Sequence, residues 1–232
     1  MRYLILSALA LAAAPTLAAQ APSTPRAKPS FSLTLAGLRP VGALGDNIAS
    51  GYGGFAGVLV PLTQSGWLSL RGDIGLAQYG SDSRRTAFSE TVGDRVEVKV
   101  RTANMIMPAS VGLQLAAPSG AIRPYVHTGI GAQAFYTESS VGSVNGGMPL
   151  LSDVNQSDVT FAWTFGGGVT MPLVNGRMRV LLDVSAQYIH GGTAEYLAPG
   201  SITDLPGGRI SITPMESATH FMAFRVGARI GR

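Results

Sequence analysis

From Phe31 onward, apolar and polar residues alternate with a period of two along most of the chain, not with the 3.6-residue spacing of a helix. Alternation of this kind gives a strand one greasy face and one polar face. In Trp67 to Tyr79, Leu68, Leu70, Ile74 and Leu76 alternate with Ser69, Arg71, Asp73 and Ala77. In Val159 to Leu173, Phe161, Trp163, Phe165, Val169 and Met171 alternate with Thr160, Thr164, Gly166, Gly168 and Thr170. In Arg177 to Ile189, Met178, Val180, Leu182 and Val184 alternate with Arg179, Asp183, Ser185 and Gln187. In Thr219 to Gly231, Met222, Phe224, Val226 and Ile230 alternate with Arg225 and Arg229. Four further segments follow the rule: Phe31 to Arg39, about Gly54 to Leu62, about Val96 to Leu115, and Ile122 to Tyr136. The pattern predicts about eight strands.

The connections sort by length. Thr63-Gln64-Ser65-Gly66, Ala117-Pro118-Ser119-Gly120 and Val174-Asn175-Gly176 read as tight turns. Between them lie long polar stretches, about Val41 to Gly53, Gly80 to Arg95, Ser139 to Ser157 and Gly191 to Ala218. Strict alternation of short and long connections is the pattern of an up-and-down barrel in an outer membrane, with short periplasmic turns and long extracellular loops.

Alternation alone permits two barrels, a soluble lipocalin-like carrier with its apolar face inward and a membrane barrel with it outward. The second is favoured by Arg71, Asp73, Arg179 and Asp183 on the minority face. There they can pair across an interior, whereas near the midplane of a bilayer each basic side chain facing lipid would cost roughly 2–4 kcal/mol. Trp67, Tyr79, Phe135, Tyr136 and Trp163 fall near strand ends, where interfacial girdles lie. In the fourth strand about ten residues suffice to cross. Counting back from the turn, Ala109, Val111, Leu113 and Leu115 face lipid. Glu97, Lys99 and Arg101 share their parity, so this strand is expected to run on above the membrane rather than switch register at Pro108.

The N-terminus reads as a secretory signal: Arg2, the apolar run Leu4 to Ala14, a break at Pro15, and cleavage after Ala19. The expected division is a signal peptide over 1–19, a disordered periplasmic lead-in over 20–30 and a barrel over 31–232. Charged residues make up 13% of the chain, about half the usual share. With no cysteine there is neither a disulfide framework nor a thiolate metal site. A net charge of +4, part of it in the signal and lead-in, is too small to point to nucleic acid.

The hairpin Ile106-Met107-Pro108-Ala109-Ser110-Val111-Gly112-Leu113-Gln114-Leu115, then Ile122-Arg123-Pro124-Tyr125-Val126-His127-Thr128-Gly129-Ile130-Gly131, resembles one common in OmpA/OmpX-like outer-membrane β-barrels. The ending Phe224-Arg225-Val226-Gly227-Ala228-Arg229-Ile230-Gly231-Arg232 is similar to their terminal strand. The resemblance implies an all-β, single antiparallel transmembrane barrel in the outer membrane, without cofactor. Its partners would be outer-membrane lipid, lipopolysaccharide and the barrel-assembly machinery, and a monomer is expected. Such chains usually end in an aromatic residue, whereas this one ends in Arg232. Recognition would then use Phe224 and Ile230, or another signal.

A barrel this small is filled by its own side chains. Arg71, Asp73, Arg123, Tyr125, Gln133, Arg179, Asp183, Gln187, Arg225 and Arg229 are assigned to the lumen, as a polar filling or a narrow ion path. A lipid-modifying, lipid A deacylase-like enzyme would need a Ser–His–acid cluster on one outer face. Ser185 and His190 are five apart on one strand and face opposite ways; His220 with Ser211 or Ser217 has no motif behind it, and His127 faces the lumen. Three scattered histidines do not make a metal site. Gly166-Gly167-Gly168 and Gly129-x-Gly131 lie inside strands, not at the strand-to-helix turn a phosphate loop needs. Arg84 and Arg85 are the candidates for contact with lipopolysaccharide phosphates. The expected role is non-enzymatic, structural or exerted through the long loops.

Overall fold

The computed structural model describes residues 27–87, 97–143, 151–174, 178–198, 201–205 and 209–231. The signal peptide and most of the lead-in expected from sequence lie outside them, as does the turn Asn175-Gly176. The strands are β1 (Ser30–Val41), β2 (Gly51–Pro61), β3 (Leu68–Ala87), β4 (Glu97–Ala116), β5 (Arg123–Ser143), β6 (Leu151–Val174), β7 (Arg179–Gly191), four short ones, β8 (Thr193–Tyr196), β9 (Ile202–Leu205), β10 (Arg209–Ile212) and β11 (Met215–Ala218), and β12 (His220–Gly231). One helical turn, α1 (Ala43–Asn47), joins β1 to β2. The long strands close into a barrel in the order β1-β12-β7-β6-β5-β4-β3-β2. All pairs are antiparallel, and β1 meets β12 with Ser30 opposite Gly231 and Val41 opposite His220. Closure leaves no sheet edge to be satisfied by lipid.

The apolar face points outward. Leu70, Val111, Ile130, Phe165 and Val226 are between 41% and 60% exposed, while Arg71 and Asp183 are 3% and 2% exposed. This overturns the carrier alternative, which needed the same aliphatic residues to converge on a shared interior.

Four strands are much longer than a crossing requires. β3, β4, β5 and β6 have 20, 20, 21 and 24 residues, against about 9–11 for a transmembrane strand. β1, β2, β7 and β12 have 12, 11, 13 and 12. The surplus runs up from one side of the barrel as a sheet. Much of what the sequence presents as loops Gly80 to Arg95 and Ser139 to Ser157 is therefore strand: Ala87 pairs with Glu97, and Val141 with Leu151. On β3, Ser81 to Ala87 carries no apolar alternation, while on β4 Val98 and Val100 still alternate with Glu97, Lys99 and Arg101. The stretch Gly191 to Ala218 likewise contains two small ribbons, β8 with β11 and β9 with β10.

β4 keeps one register from end to end. Asn104, Ile106 and Gln114 face inward, and Glu97, Lys99 and Arg101 stand in the part above the membrane, opposite Ala87, Arg85 and Ser83. Pro108 lacks an N–H, and the β3–β4 ladder passes from Ile74↔Ala109 to Ala77↔Ile106 across it. The irregularity lies on β3 instead, between Gln78 and Gly80. Close strand approach fixes Gly112, where a Cβ would run into the carbonyl oxygen of Thr128.

Candidate functional site

The lumen is filled in two layers. In the periplasmic half, β3 supplies Arg71 and Asp73, two apart and hence on one face. Their guanidinium and carboxylate form a two-pronged pair through Nε to Oδ2 and Nη2 to Oδ1, the latter at 3.0 Å. Arg71 Nη1 also donates to Gln114 Oε1 on β4 at 2.7 Å. From β12, Arg225 donates to Asp73 Oδ1 and Gln187 Oε1, both at 2.8 Å, and to Thr34 Oγ1 at 3.2 Å. Two periods of the alternation further on, Arg229 pairs with Asp183 of β7, which also accepts from the Tyr125 hydroxyl at 2.6 Å. The Tyr125 ring lies between the two cationic groups, 5.7 Å from the Arg71 guanidinium carbon and 5.0 Å from that of Arg229. The result is a ladder of charge that ties β1, β3, β4, β5, β7 and β12 across the interior. Each ion has a partner, as burial at these depths demands.

The extracellular half is different. Tyr79, Phe135 and Tyr196 pack edge to face or tilted, with ring centroids 6.0, 6.5 and 5.6 Å apart. Phe55, Ile189, Phe221 and, from α1, Leu44 bury themselves around them. Tyr79 Oη donates to the carbonyl of Leu197 at 3.2 Å, and the Tyr196 hydroxyl accepts from Asn47 Nδ2 at 2.9 Å and meets Ser217 Oγ at 2.8 Å. The segment Tyr196-Leu197-Ala198 thus folds down into the mouth as a plug. Arg225 joins the layers, its guanidinium carbon 4.5 Å from the Phe55 ring centroid.

Several residues stand elsewhere than the sequence suggested. Tyr79 and Phe135 are not girdle residues: they are 4% and 1% exposed and face the lumen. Their parity said so, since Tyr79 is in step with Arg71 and Asp73, and Phe135 with Tyr125 and Gln133. Trp67 and Trp163 do face outward, 47% and 41% exposed. Arg123 and Arg179 are not brought into the ladder. They are the first residues of β5 and β7 and so sit at the periplasmic rim; Arg123 Nε donates to the carbonyl of Ala117 at 2.8 Å and Arg179 is exposed. Gln133 lies higher, its amide donating to the Thr219 carbonyl at 2.8 Å. Gln114, Phe55 and Tyr196 were missed. The first two follow from parity; Tyr196 lies in a polar stretch that carries no such signal.

His127 is buried in the lumen beside Tyr125. His190 and His220 face outward and stack at 4.0 Å, with Trp163 stacked on His190 at 5.1 Å. Ser185 is on the opposite, inner face of β7. Ser217 meets the Tyr196 hydroxyl, and Ser211 lies in β10. Among the described residues no cluster of three or more His, Cys, Asp or Glu is arranged to hold a metal ion. Arg84 and Arg85 occupy rungs of β3 opposite Val100 and Lys99, above the membrane.

A closed eight-stranded barrel with its greasy face to lipid and its charges paired inside is a small outer-membrane β-barrel protein. Residues 4–202 match the family model described as the outer membrane protein beta-barrel domain, and the chain belongs to that family. It lies in the outer membrane. Similar solved structures include Ail, the attachment invasion locus protein of Yersinia pestis, at 13% identity over 88% of this chain and 98% of that one, with a TM-score of 0.44. Others are Neisserial surface protein A, at 12% over 87% and 96% with a TM-score of 0.41, and a major outer membrane protein from Thermus thermophilus, at 12% over 87% and 98% with a TM-score of 0.46. No curated protein matches the chain.

Proposed function

We propose that this protein is a non-enzymatic, non-conducting barrel that acts through the strand wall it raises above the outer leaflet. The observation that carries this reading is the length of β3 to β6, about ten residues each beyond the crossing. At about 3.3 Å per residue that is roughly 30 Å of paired backbone in the extracellular space. A lumen closed by both an aromatic plug and a charge ladder supports the non-conducting part. On the wall, Ser83, Arg84 and Arg85 stand opposite Arg101, Val100 and Lys99. Arg85, Lys99 and Arg101 therefore share one parity on these rungs and Arg84 has the other, so three basic positions fall on one face of the wall, a register suited to the phosphates of lipopolysaccharide.

The test is the unfolding midpoint of the reconstituted barrel in phosphatidylcholine vesicles with and without lipopolysaccharide. Lipopolysaccharide is expected to raise the midpoint for the native chain and to raise it less for R84Q/R85Q. An equal rise in both chains overturns the assignment. A lipid-modifying role draws no support from Ser185 and His190, which stand on opposite faces of β7. Replacing His190 or His220 by alanine is expected to leave the lipid A of the host cells unaltered.

A further inference from the structure

Below the charge ladder the barrel opens to the periplasm through a cavity of about 280 Å³. This is the size of a small ligand site. Lys28, Arg123, Arg179 and Arg229 line it, with no carboxylate among the described residues of its wall. Three of the four are fixed by local structure. Lys28 is brought under the rim because the Ala27 N–H donates to the Gln64 carbonyl of the first periplasmic turn at 3.0 Å. Arg123 is held by the Ala117 carbonyl at 2.8 Å. Arg229, 7% exposed, is held by Asp183.

The charges do not balance. Deeper in, Arg71, Arg225 and Arg229 share two carboxylates among the described residues, Asp73 and Asp183. The rim then adds Lys28, Arg123 and Arg179 with nothing acidic beside them among the described residues. The Nε of Arg229 is buried and has no hydrogen-bond partner among the described residues. A partly desolvated concave site with surplus positive charge concentrates anions. Guanidiniums present planar pairs of donors that match phosphate oxygens. Three cations without an acid among the described residues, beside an Arg229 whose Nη2 is taken by Asp183 but whose Nε is free of one, suit a multivalent anion better than a single carboxylate.

We propose that the periplasmic mouth of the barrel is a binding site for a phosphate-bearing anion, held among Arg123, Arg179 and Arg229 with Lys28 at its outer edge. The phosphate comes either from a soluble periplasmic species or from the headgroup of an inner-leaflet phospholipid. The site is at the opposite end of the barrel from the strand wall and stands independently of the role assigned to it.

The experiment is calorimetric titration of inorganic pyrophosphate into the full barrel in phosphatidylcholine nanodiscs at about 0.15 M salt, where surface charge is screened over about 8 Å. Saturable binding near one per barrel is expected. R123Q/R179Q should weaken it at least tenfold while keeping the mobility shift on boiling that marks a folded barrel. R179Q alone, a change at an exposed rim position, should weaken it severalfold and serves if the double variant does not fold. Discs containing phosphatidylglycerol separate the sources. Undiminished affinity there assigns the site to a soluble anion, and lost affinity assigns it to a competing lipid headgroup. Absence of saturable binding in phosphatidylcholine, or native affinity in R179Q and in the double variant, overturns the proposal. The second result would place the anion on the extracellular arginines instead.

Discussion

Arg225 reaches from β12 across the lumen to Asp73 on β3, its Nη2 donating to Oδ1 at 2.8 Å. The same carboxylate holds Arg71, so one acid stands between two guanidiniums. Asp73→Asn leaves both cations buried with a neutral neighbour. It is expected to cost about 3–5 kcal/mol, the usual loss when one member of a buried pair is removed. Denaturant unfolding from vesicles should show a lower midpoint. In a double-mutant cycle, D73N/R225Q should lose less than the sum of the single changes.

Val111 faces lipid, 52% exposed, in the middle of the β4 crossing. Val111→Arg should cost roughly 2–4 kcal/mol, since a cation near the midplane must be hydrated or dragged to an interface. Ser83→Arg, on a rung above the membrane, should change stability by less than about 0.5 kcal/mol. Equal losses at the two positions, measured by folding yield into vesicles, would contradict the assigned membrane level.

The two layers in the lumen act in series, so removing one should not open the barrel. F135A/Y196A deletes the plug's central rings but leaves the ladder from Arg229 to Arg225 in place. Planar-bilayer recordings should find it as silent as the native chain. F135A/Y196A/R225A breaks both layers and should show discrete openings. Openings from F135A/Y196A alone would mean that the charge ladder does not close the path.

At Gly112 a Cβ would meet backbone, the Thr128 carbonyl, and backbone cannot swing aside as a long side chain can. Gly112→Val is expected to block closure of β4 on β5. On a gel run without boiling, the variant should migrate as the unfolded form.

The orientation of the wall was legible because charge has only one tolerable side of a membrane strand. Arg71, Asp73, Asp183 and Arg225 declared the inner face, and Leu70 and Val111 the outer. The same parity carried Tyr79 and Phe135 inward. Their position near strand ends argued for a girdle, but position is a weaker constraint than the pleat, which allows each residue one side only. Arg123 and Arg179 had lumen parity yet sit at the rim, since parity sets a side and not a depth. Strand lengths above the membrane were hidden for another reason. On β3 backbone pairing continues without a hydrophobic period, and Ser81 to Ala87 reads as a loop. The plug from Tyr196 depended on the folding back of a long segment whose contacts are all distant in sequence.

The tall strands β3 to β6 are contiguous, and so are the short ones β7, β12, β1 and β2. The rim is therefore a parapet on one flank and a step on the other. Anything large that settles on this protein from outside meets two heights of wall, the inner side of the high one already tied to β8 through Gln156 and Asp158. Neighbouring molecules in a crowded leaflet would meet two unlike silhouettes, depending on which flank they faced.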